Sequence, residues 1–428
     1  YKLISGNWVQ QGGEIDGEAA ADNSGYSVSL SATGSILAIG ARYNSDSGLS
    51  AGHVRVYRDS SGTWVQQGAD IDGDAAGDLS GSSVSLSADG LALAIGAPRN
   101  DENGTDAGHV RVYQWSGTMW TQQGADIYGE ADLDFSGRSV CLSADGSTLA
   151  IGAPENDGNG IDAGHVRVYQ WDGMAWTQLG ADIDGEVALD RSGSPVSLSA
   201  DGLTVAIGAS QNDGNGSLAG HVRVYQLSGT AWAQQGADID GEANGDWSGA
   251  SVCLSADGLT LAIGAPRNGG VGTYAGHVRV YKFITGNWLQ QGVDIDGEAA
   301  GDHSGNSVSL SADGSSVAIG ATENTGNGSH AGHVRVYQDP TVGISEYGFG
   351  PSFTFHPNPT EGLITITLGQ VYGDLNAEVR DITGKQIHTV NFGTAAQAIF
   401  EIEGASGTYL VDLVSAEGIT ARLKVIKN

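Results

Sequence analysis

Between Ser83 and Tyr113 the chain alternates apolar and small polar residues. Val84 and Leu86 stand between Ser83, Ser85 and Ser87, the period of two that a strand with one buried face requires. Leu91 to Ala97 is a short, almost wholly apolar run, and Val110 and Val112 alternate with His109, Arg111 and Tyr113. These patterns predict strands over 83–87, 91–97 and 108–114. Ala88-Asp89-Gly90 reads as the hairpin turn between the first two, with Gly supplying the positive φ. The loop 98–106 leads to the third. Ser116-Gly117 then turns the chain into a fourth strand, 120–127.

This four-strand pattern recurs. Ala-Gly-His-Val-Arg-Val-Tyr starts at Ala51, Ala107, Ala163, Ala219, Ala275 and Ala331, always 56 residues apart. Trp8, Trp64, Trp120, Trp176, Trp232 and Trp288 keep the same step, and no insertion disturbs the register from Lys2 to Tyr337. A fixed period of this length makes each unit one supersecondary element stacked on its neighbours. Six antiparallel four-stranded units predict an all-β, six-bladed β-propeller. A β-solenoid is the rival, but its rungs are usually far shorter.

The stretch 80–98, "SGSSVSLSADGLALAIGAP", followed by "GHVRVY", resembles the FG-GAP repeat of integrin α-subunit propellers. Ser80-Gly81 stands where that family has Phe-Gly, and Gly96-Ala97-Pro98 matches its Gly-Ala-Pro; Arg42, Ser210 and Thr322 replace the proline in other units. The resemblance spans residues 1–338 and implies that 83–87 lies innermost and the Trp120 strand outermost. The last unit then ends without a fourth strand, and Trp8–Ile15 is a spare one at the other end. Together they are expected to close a ring of six blades. Tyr1 to Trp8 nearly copies Tyr281 to Trp288, hairpin turn included. A closing strand needs no such turn, so a fragment of a seven-bladed propeller stays open as the alternative.

After Tyr337 the pattern changes. Residues 339–351 read as a linker, and 352–428 as alternating strands with glycine-containing turns, a small β-sandwich. This segment resembles the C-terminal sorting domain of the type IX secretion system of Bacteroidetes. The matching residues include Pro357, Asn358 and Pro359, then Gly384-Lys385, then Gly407 with Tyr409, and the closing Lys424-Val425-Ile426-Lys427. His356 departs from the commoner Tyr. The resemblance implies export across the outer membrane, a partnership with the secretion machinery, and release or anchoring at the cell surface.

Composition narrows the partners. With 50 acidic against 19 basic side chains the net charge is -31, which disfavours nucleic acid and anionic lipid. The 68 glycines among 428 residues carry no Gly-X-Y period and point to tight turns. No apolar run is long enough to span a bilayer. Cys141 and Cys253 make no disulfide framework and replace serines of innermost strands, as small buried residues.

In a blade the loops after the second and fourth strands emerge on one face. There the residue before Ser-Gly is Asn23, Leu79, Phe135, Arg191, Trp247 and His303 in turn, while its flanks barely change. Variation within a fixed scaffold marks Leu79, Phe135, Arg191, Trp247 and His303 as candidate ligand contacts, with Trp247 and Phe135 as exposed anchors. Two acidic loops are candidate calcium sites because Asp and Asn oxygens gather around glycine bends. One holds Asp70, Asp72 and Asp78; the other holds Asp157, Asn159 and Asp162, or Asp213 and Asn215. The first lacks the remaining oxygens of an EF-hand loop, and Tyr128 replaces the middle Asp in one unit. The resemblance places calcium instead in the hairpin between the first two strands, here only Ala88-Asp89-Gly90, so that site is missing. His53, His109, His165, His221, His277 and His333 occur once per blade, too dispersed to form a zinc cluster together.

Acids recur uniformly, and no Gly-x-Ser-x-Gly, His-Glu-x-x-His or P-loop motif is present. The expected function is therefore binding rather than catalysis: an extracellular adhesin for a polysaccharide or a protein. A passive surface or matrix protein is the alternative, and a glycan-active enzyme the third reading.

Overall fold

The computed structural model describes residues 1–4, 7–338, 354–356, 360, 362–381, 385–416 and 420–427. The chain divides into two compact units, Tyr1–Tyr337 and Gln338–Asn428.

The first unit holds six antiparallel sheets of the expected strand order. In the second sheet, Ser83–Leu86, Ala92–Ala97, His109–Trp115 and Trp120–Gln122 pair in sequence. The predicted fourth strand is broken. After Gln122 the chain turns through Gly124 at φ +81, and Ile127–Tyr128 returns as a separate two-residue strand against His109 and Val110. A side chain at Gly124 would meet Trp171 and Trp176 of the next sheet, so the break is where two blades press together.

Each junction between sheets is built from the alternation seen in the sequence. Ile36, Ala38, Val54, Val56 and Ile71 of the first sheet pack on Val84, Leu86, Leu93 and Ile95 of the second. The next four junctions repeat this arrangement. Innermost strands are tied to one another: Leu142 N donates to Ser85 Oγ at 2.9 Å, and Leu198 N to Cys141 Sγ at 3.3 Å. The cysteine thus does the work of the serine it replaces, and burial pushes its thiol up to about 11. At the outer rim Trp120 Nε1 donates to Gln67 O at 2.9 Å.

The two motif glycines have one physical role. Gly96 lies against the backbone of Gly137 in the following sheet, and Ser83 Oγ donates to Gly137 O at 2.7 Å. A side chain on Gly96 would overlap that carbonyl. The motif is a backbone-to-backbone contact between blades.

The expected closing strand is not formed. Asn7–Val9 pairs with Lys2–Ile4, and the sixth sheet has three strands, ending with His333–Gln338. No apolar cluster of described residues joins the sixth sheet to the first. The Tyr1–Trp8 hairpin therefore folds on itself, as its copy at Tyr281–Trp288 does, instead of opening to lend a strand.

The second unit is one antiparallel sheet of Thr354–His356, Leu363–Asp381, Gln386–Glu401, Gly407–Val414 and Thr420–Lys427. Its period of two is plain: Ile364, Ile366 and Leu368, then Leu375, Ala377 and Val379, then Tyr409, Val411 and Leu413 are buried. Register shifts at Thr367/Tyr372 and Tyr372/Leu375 bend the longest pair.

Candidate functional site: the loop face

In five of the six units the loop after the second strand is fastened to the acidic loop by a buried aspartate. Asp134 is 2% exposed, and its Oδ2 accepts from Glu130 N and Ala131 N at 2.9 Å and from Asn156 Nδ2 at 3.2 Å. Asp78 is its equivalent, accepting from Ala75 N at 3.1 Å and Asn100 Nδ2 at 3.0 Å. Onto this clamp the next loop is laid. Asn103 Nδ2 donates to Gly129 O at 2.7 Å, as Asn159 does to Gly185 O and Asn215 to Gly241 O at 2.8 Å.

The acids of "DIDGDAAGD" thus go to three environments. Asp78 is inside the clamp. Asp70 accepts from Gln66 Nε2 at 2.6 Å and faces Glu18 and His53. Asp72 lies in a two-residue strand, and partial burial raises its carboxyl above the ordinary range against the pull of His53, with Asp70 and Asp46 adding to the rise. Among the described residues no group of metal-like ligand atoms combines the three. In the other candidate loop, Asp157 Oδ1 accepts from Asp162 N at 2.9 Å and Asp213 Oδ1 from Leu218 N at 2.7 Å, so these carboxylates brace their own loops. Tyr128, which interrupts the acidic pattern, donates to Glu102 at 2.6 Å, and that bond pushes its phenol up to about 12.

The structure does gather ligand atoms around the histidines, which the sequence left dispersed. Glu18/His53/Asp70, Asp74/His109/Asp126, Glu130/His165/Asp182, Glu186/His221/Asp238 and Glu242/His277/Asp294 each bring three such atoms within 4.8 Å of one another. One imidazole and two carboxylates could hold a transition-metal cation. An arginine supplies positive charge in each cluster, however. Arg111 bridges Asp74 and Asp126, and Arg55 and Arg167 lie 3.5 and 3.6 Å from Glu18 and Glu130. The clusters are ion-pair joints between blades, which explains why five of the six units repeat them.

Burial pushes His109, His165, His221 and His277 below the ordinary 6.5, against the pull of the nearby carboxylates. As pH falls through 6.5 the unfolded chain therefore takes up protons first, so stability is full above 6.5 and falls below it until the folded imidazoles protonate. The melting temperature is expected to drop as pH is lowered from 6.5. A His165→Gln variant should lose part of that slope. An unchanged slope in the variant would remove His165 from the account.

The five candidate contacts share one backbone conformation. Leu79, Phe135, Arg191, Trp247 and His303 have φ of 57, 50, 53, 58 and 53°, the left-handed region that costs a bulky residue about 1–2 kcal/mol. Each N–H donates to the carbonyl of a residue in the neighbouring loop: Phe135 to Asp106 at 3.1 Å, Trp247 to Leu218 at 3.2 Å and His303 to Tyr274 at 3.1 Å. Those partners precede the invariant Ala-Gly-His, also have positive φ, and also vary, as Ser50, Asp106, Asp162, Leu218, Tyr274 and His330. The loop face therefore carries two parallel rows of changing side chains, and the sequence reading found only one. The second was visible as the variable position just before Ala-Gly-His.

The rows are chemically matched. Arg191 lies 3.6 Å from Asp162 and 3.4 Å from Glu155, and the His303 ring stacks on Tyr274 with centroids 5.7 Å apart. Trp247 and Phe135 are half-buried instead of fully exposed. Arg267 lies 3.3 Å over the Trp247 ring and Arg99 5.9 Å from that of Phe135. Leu79 is 8% exposed. Among the described residues no carboxylate lies within 4 Å of Arg267. In the second unit, Gly407 and Tyr409 stand in a strand, with Tyr409 Oη donating to Ala405 O at 2.7 Å. Lys385 precedes the strand Gln386–Glu401; Pro357, Asn358, Pro359 and Gly384 lie outside the described residues.

Stacked four-stranded sheets joined glycine to glycine define an all-β repeat protein of the propeller class. Residues 64–113 match the FG-GAP repeat and 354–428 the secretion system C-terminal sorting domain. The chain thus carries FG-GAP propeller repeats and a type IX sorting domain, and is secreted or displayed at the surface of a Bacteroidetes-type cell. No curated protein matches it. Among solved structures it is similar to the periplasmic gluconolactonase of Pseudomonas aeruginosa, at 16% identity over 82% of this chain and 95% of that one, with a TM-score of 0.44. The Dos1 propeller shares 14% identity over 92% and 91%, at 0.41. A GH74 xyloglucanase of Xanthomonas campestris shares 12% over 92% and 58%, at 0.44. Likeness at this level carries no argument about activity. No helix among the described residues is long and apolar enough to cross a membrane.

Proposed function

We propose that the chain is an extracellular binding protein of the adhesin type, taking a polysaccharide or a protein through the loop face of its repeats. The paired rows of variable residues support this reading. A fixed scaffold holds bulky, dissimilar side chains in a backbone conformation that Gly or Asn would adopt without strain, and such strain clusters at binding sites. The ledge formed by Trp247, Arg267, Tyr274 and His303 offers aromatic surface with an adjacent cation, the composition enriched at binding hot spots. Trp247 Nε1 has no acceptor among the described residues.

The test is binding of the full chain to immobilised polysaccharides and surface proteins, with calcium and with chelator. Saturable binding is expected, weakened at least about tenfold by Trp247→Ala with Phe135→Ala, as for loss of a contact worth roughly 1.4 kcal/mol or more. Saturable binding that survives both substitutions would move the site off this face. The chelator arm reports on calcium separately.

A further inference from the structure

The residue opposite the tryptophan of each outer strand decides how the rim of a blade junction is filled. Trp115 pairs with Trp120 and Trp171 with Trp176, their rings 5.4 and 5.6 Å apart. Trp115 and Trp171 reach over the preceding blade, where a side chain on Gly68 or Gly124 would touch them. In the fourth unit the residue opposite Trp232 is Leu227. A side chain on Gly180 would meet Trp232 and the Thr230 carbonyl, and no atom of Leu227 is among its nearest neighbours. Here a groove of about 330 Å³ lies open, lined by Ala181, Asp182, Asp184, Tyr225, Thr230 and Trp232. Leucine leaves uncovered what a second tryptophan covers in the two preceding units.

The groove is acidic and aromatic at once. Asp182 Oδ1 accepts from Gln178 Nε2 at 2.5 Å, and its Oδ2 lies 3.9 Å from His165 Nδ1. Burial, with Arg167 adding to it, holds that imidazole below its ordinary 6.5, so at neutral pH it does not offset the carboxylate. Arg223 donates to the backbone oxygen of Asp184 at 2.6 Å and lies 3.8 Å from Glu186, so its charge goes to a different carboxylate. Among the described residues no lysine or arginine nitrogen lies within 4 Å of the carboxylate of Asp182 or Asp184. The Trp232 ring is fixed in place, its Nε1 donating to Leu179 O at 2.7 Å, and Tyr225 is half-buried. Two carboxylates without a cation and two rings suit a ligand that is positive at one end and apolar along its frame. The net charge of -31 favours the approach of such a ligand.

We propose that this groove binds a primary ammonium group carried on a small saturated frame. Asp182 and Asp184 accept from its N–H donors, and Trp232 packs against the frame. The volume stands at the lower end of small-molecule sites, about 300–1,000 Å³, which suits a single amino-sugar ring or a lysine side chain. The two preceding junctions hold a tryptophan ring in this place, and at the second of them Tyr128 also replaces the second aspartate. At the following junction Phe283 lies 5.3 Å from Trp288. The site is on the outer rim and does not depend on what the loop face binds.

The experiment is a ligand-observed NMR titration of the full chain at neutral pH, with glucosamine, N-acetylglucosamine and Nα-acetyl-lysine amide. Salt is kept at about 0.15 M, where charges more than about 8 Å apart are largely screened. Saturable binding of an amine is expected, and the tighter of the two amines identifies its source. N-acetylglucosamine keeps the ring and loses the charge, so it should bind at least about tenfold more weakly, as for one lost charge-assisted hydrogen bond. Asp184→Asn, at an exposed position, should weaken amine binding by a similar factor. Leu227→Trp should abolish it by filling the groove, with the melting curve unaltered, because two other units already carry that residue. The variant keeps every charge, so general attraction to an acidic protein would survive in it. Amine binding that persists in Leu227→Trp would therefore overturn the proposal. So would a native chain that binds neither amine, or that binds the acetylated sugar equally well.

Discussion

Replacing Gly152 by alanine is expected to cost at least about 3 kcal/mol, whereas Gly320→Ala, at the same position of the last blade, should cost far less. A methyl at Gly152 would overlap the Gly193 carbonyl oxygen and come within 2.8 Å of its carbon. Both are backbone atoms of the next blade, held by Ser139 Oγ at 2.7 Å and by the pairing of Gly193 N with Gly208 O at 3.1 Å. Neither strand can retreat without breaking ladder bonds, so the junction between two blades must open. In a stacked array each blade is supported only by its neighbours. At Gly320 the methyl would meet chiefly the Ser307 hydroxyl, the end of a side chain that can rotate away; among the described residues its nearest neighbours belong to its own sheet. Denaturant unfolding of the two variants checks this. Equal losses would mean that the last blade is covered after all.

Asp134→Ala is the second large effect, expected to cost about 3–4 kcal/mol. The carboxylate is 2% exposed and serves three donors, the amides of Glu130 and Ala131 and the Asn156 side chain. Removing it leaves the buried Asn156 donor and two part-buried amides without partners, at roughly 1–3 kcal/mol for a buried group and less where water enters. Asp134→Asn keeps one accepting oxygen and should lose less. The loops joined by this clamp also present Phe135, so proteolysis at the loop face should quicken in the alanine variant beyond the change in global stability. Slow, unchanged cleavage would show that the clamp is dispensable.

These expectations differ in how far they could be read from sequence. The glycines at 96, 137 and 152 are fixed by the repeat, but only the packed blades show that they touch one another. Of the clamp aspartates, Asp78 reads from the sequence as a candidate calcium ligand because its spacing with Asp70 and Asp72 resembles a metal loop. Spacing does not reveal which carboxylate turns inward. Asp78 does, because the Ala75 amide and the side chain of Asn100, 22 residues away, converge on it.

The sequence by itself determined the unit, the first three strands of each unit and the character of the C-terminal segment. Each depends on local alternation, turn glycines and a strict 56-residue period, all properties of residues near one another along the chain. Tertiary structure alone decided the rest. It folded the Tyr1–Trp8 hairpin on itself, brought five of the histidines to two carboxylates, paired the variable positions into two rows, and left a groove open beside Trp232. Alternation dictates which face of a strand is apolar. Whether that face is covered, and by what, depends on segments that meet across a blade boundary, and no local pattern carries that information.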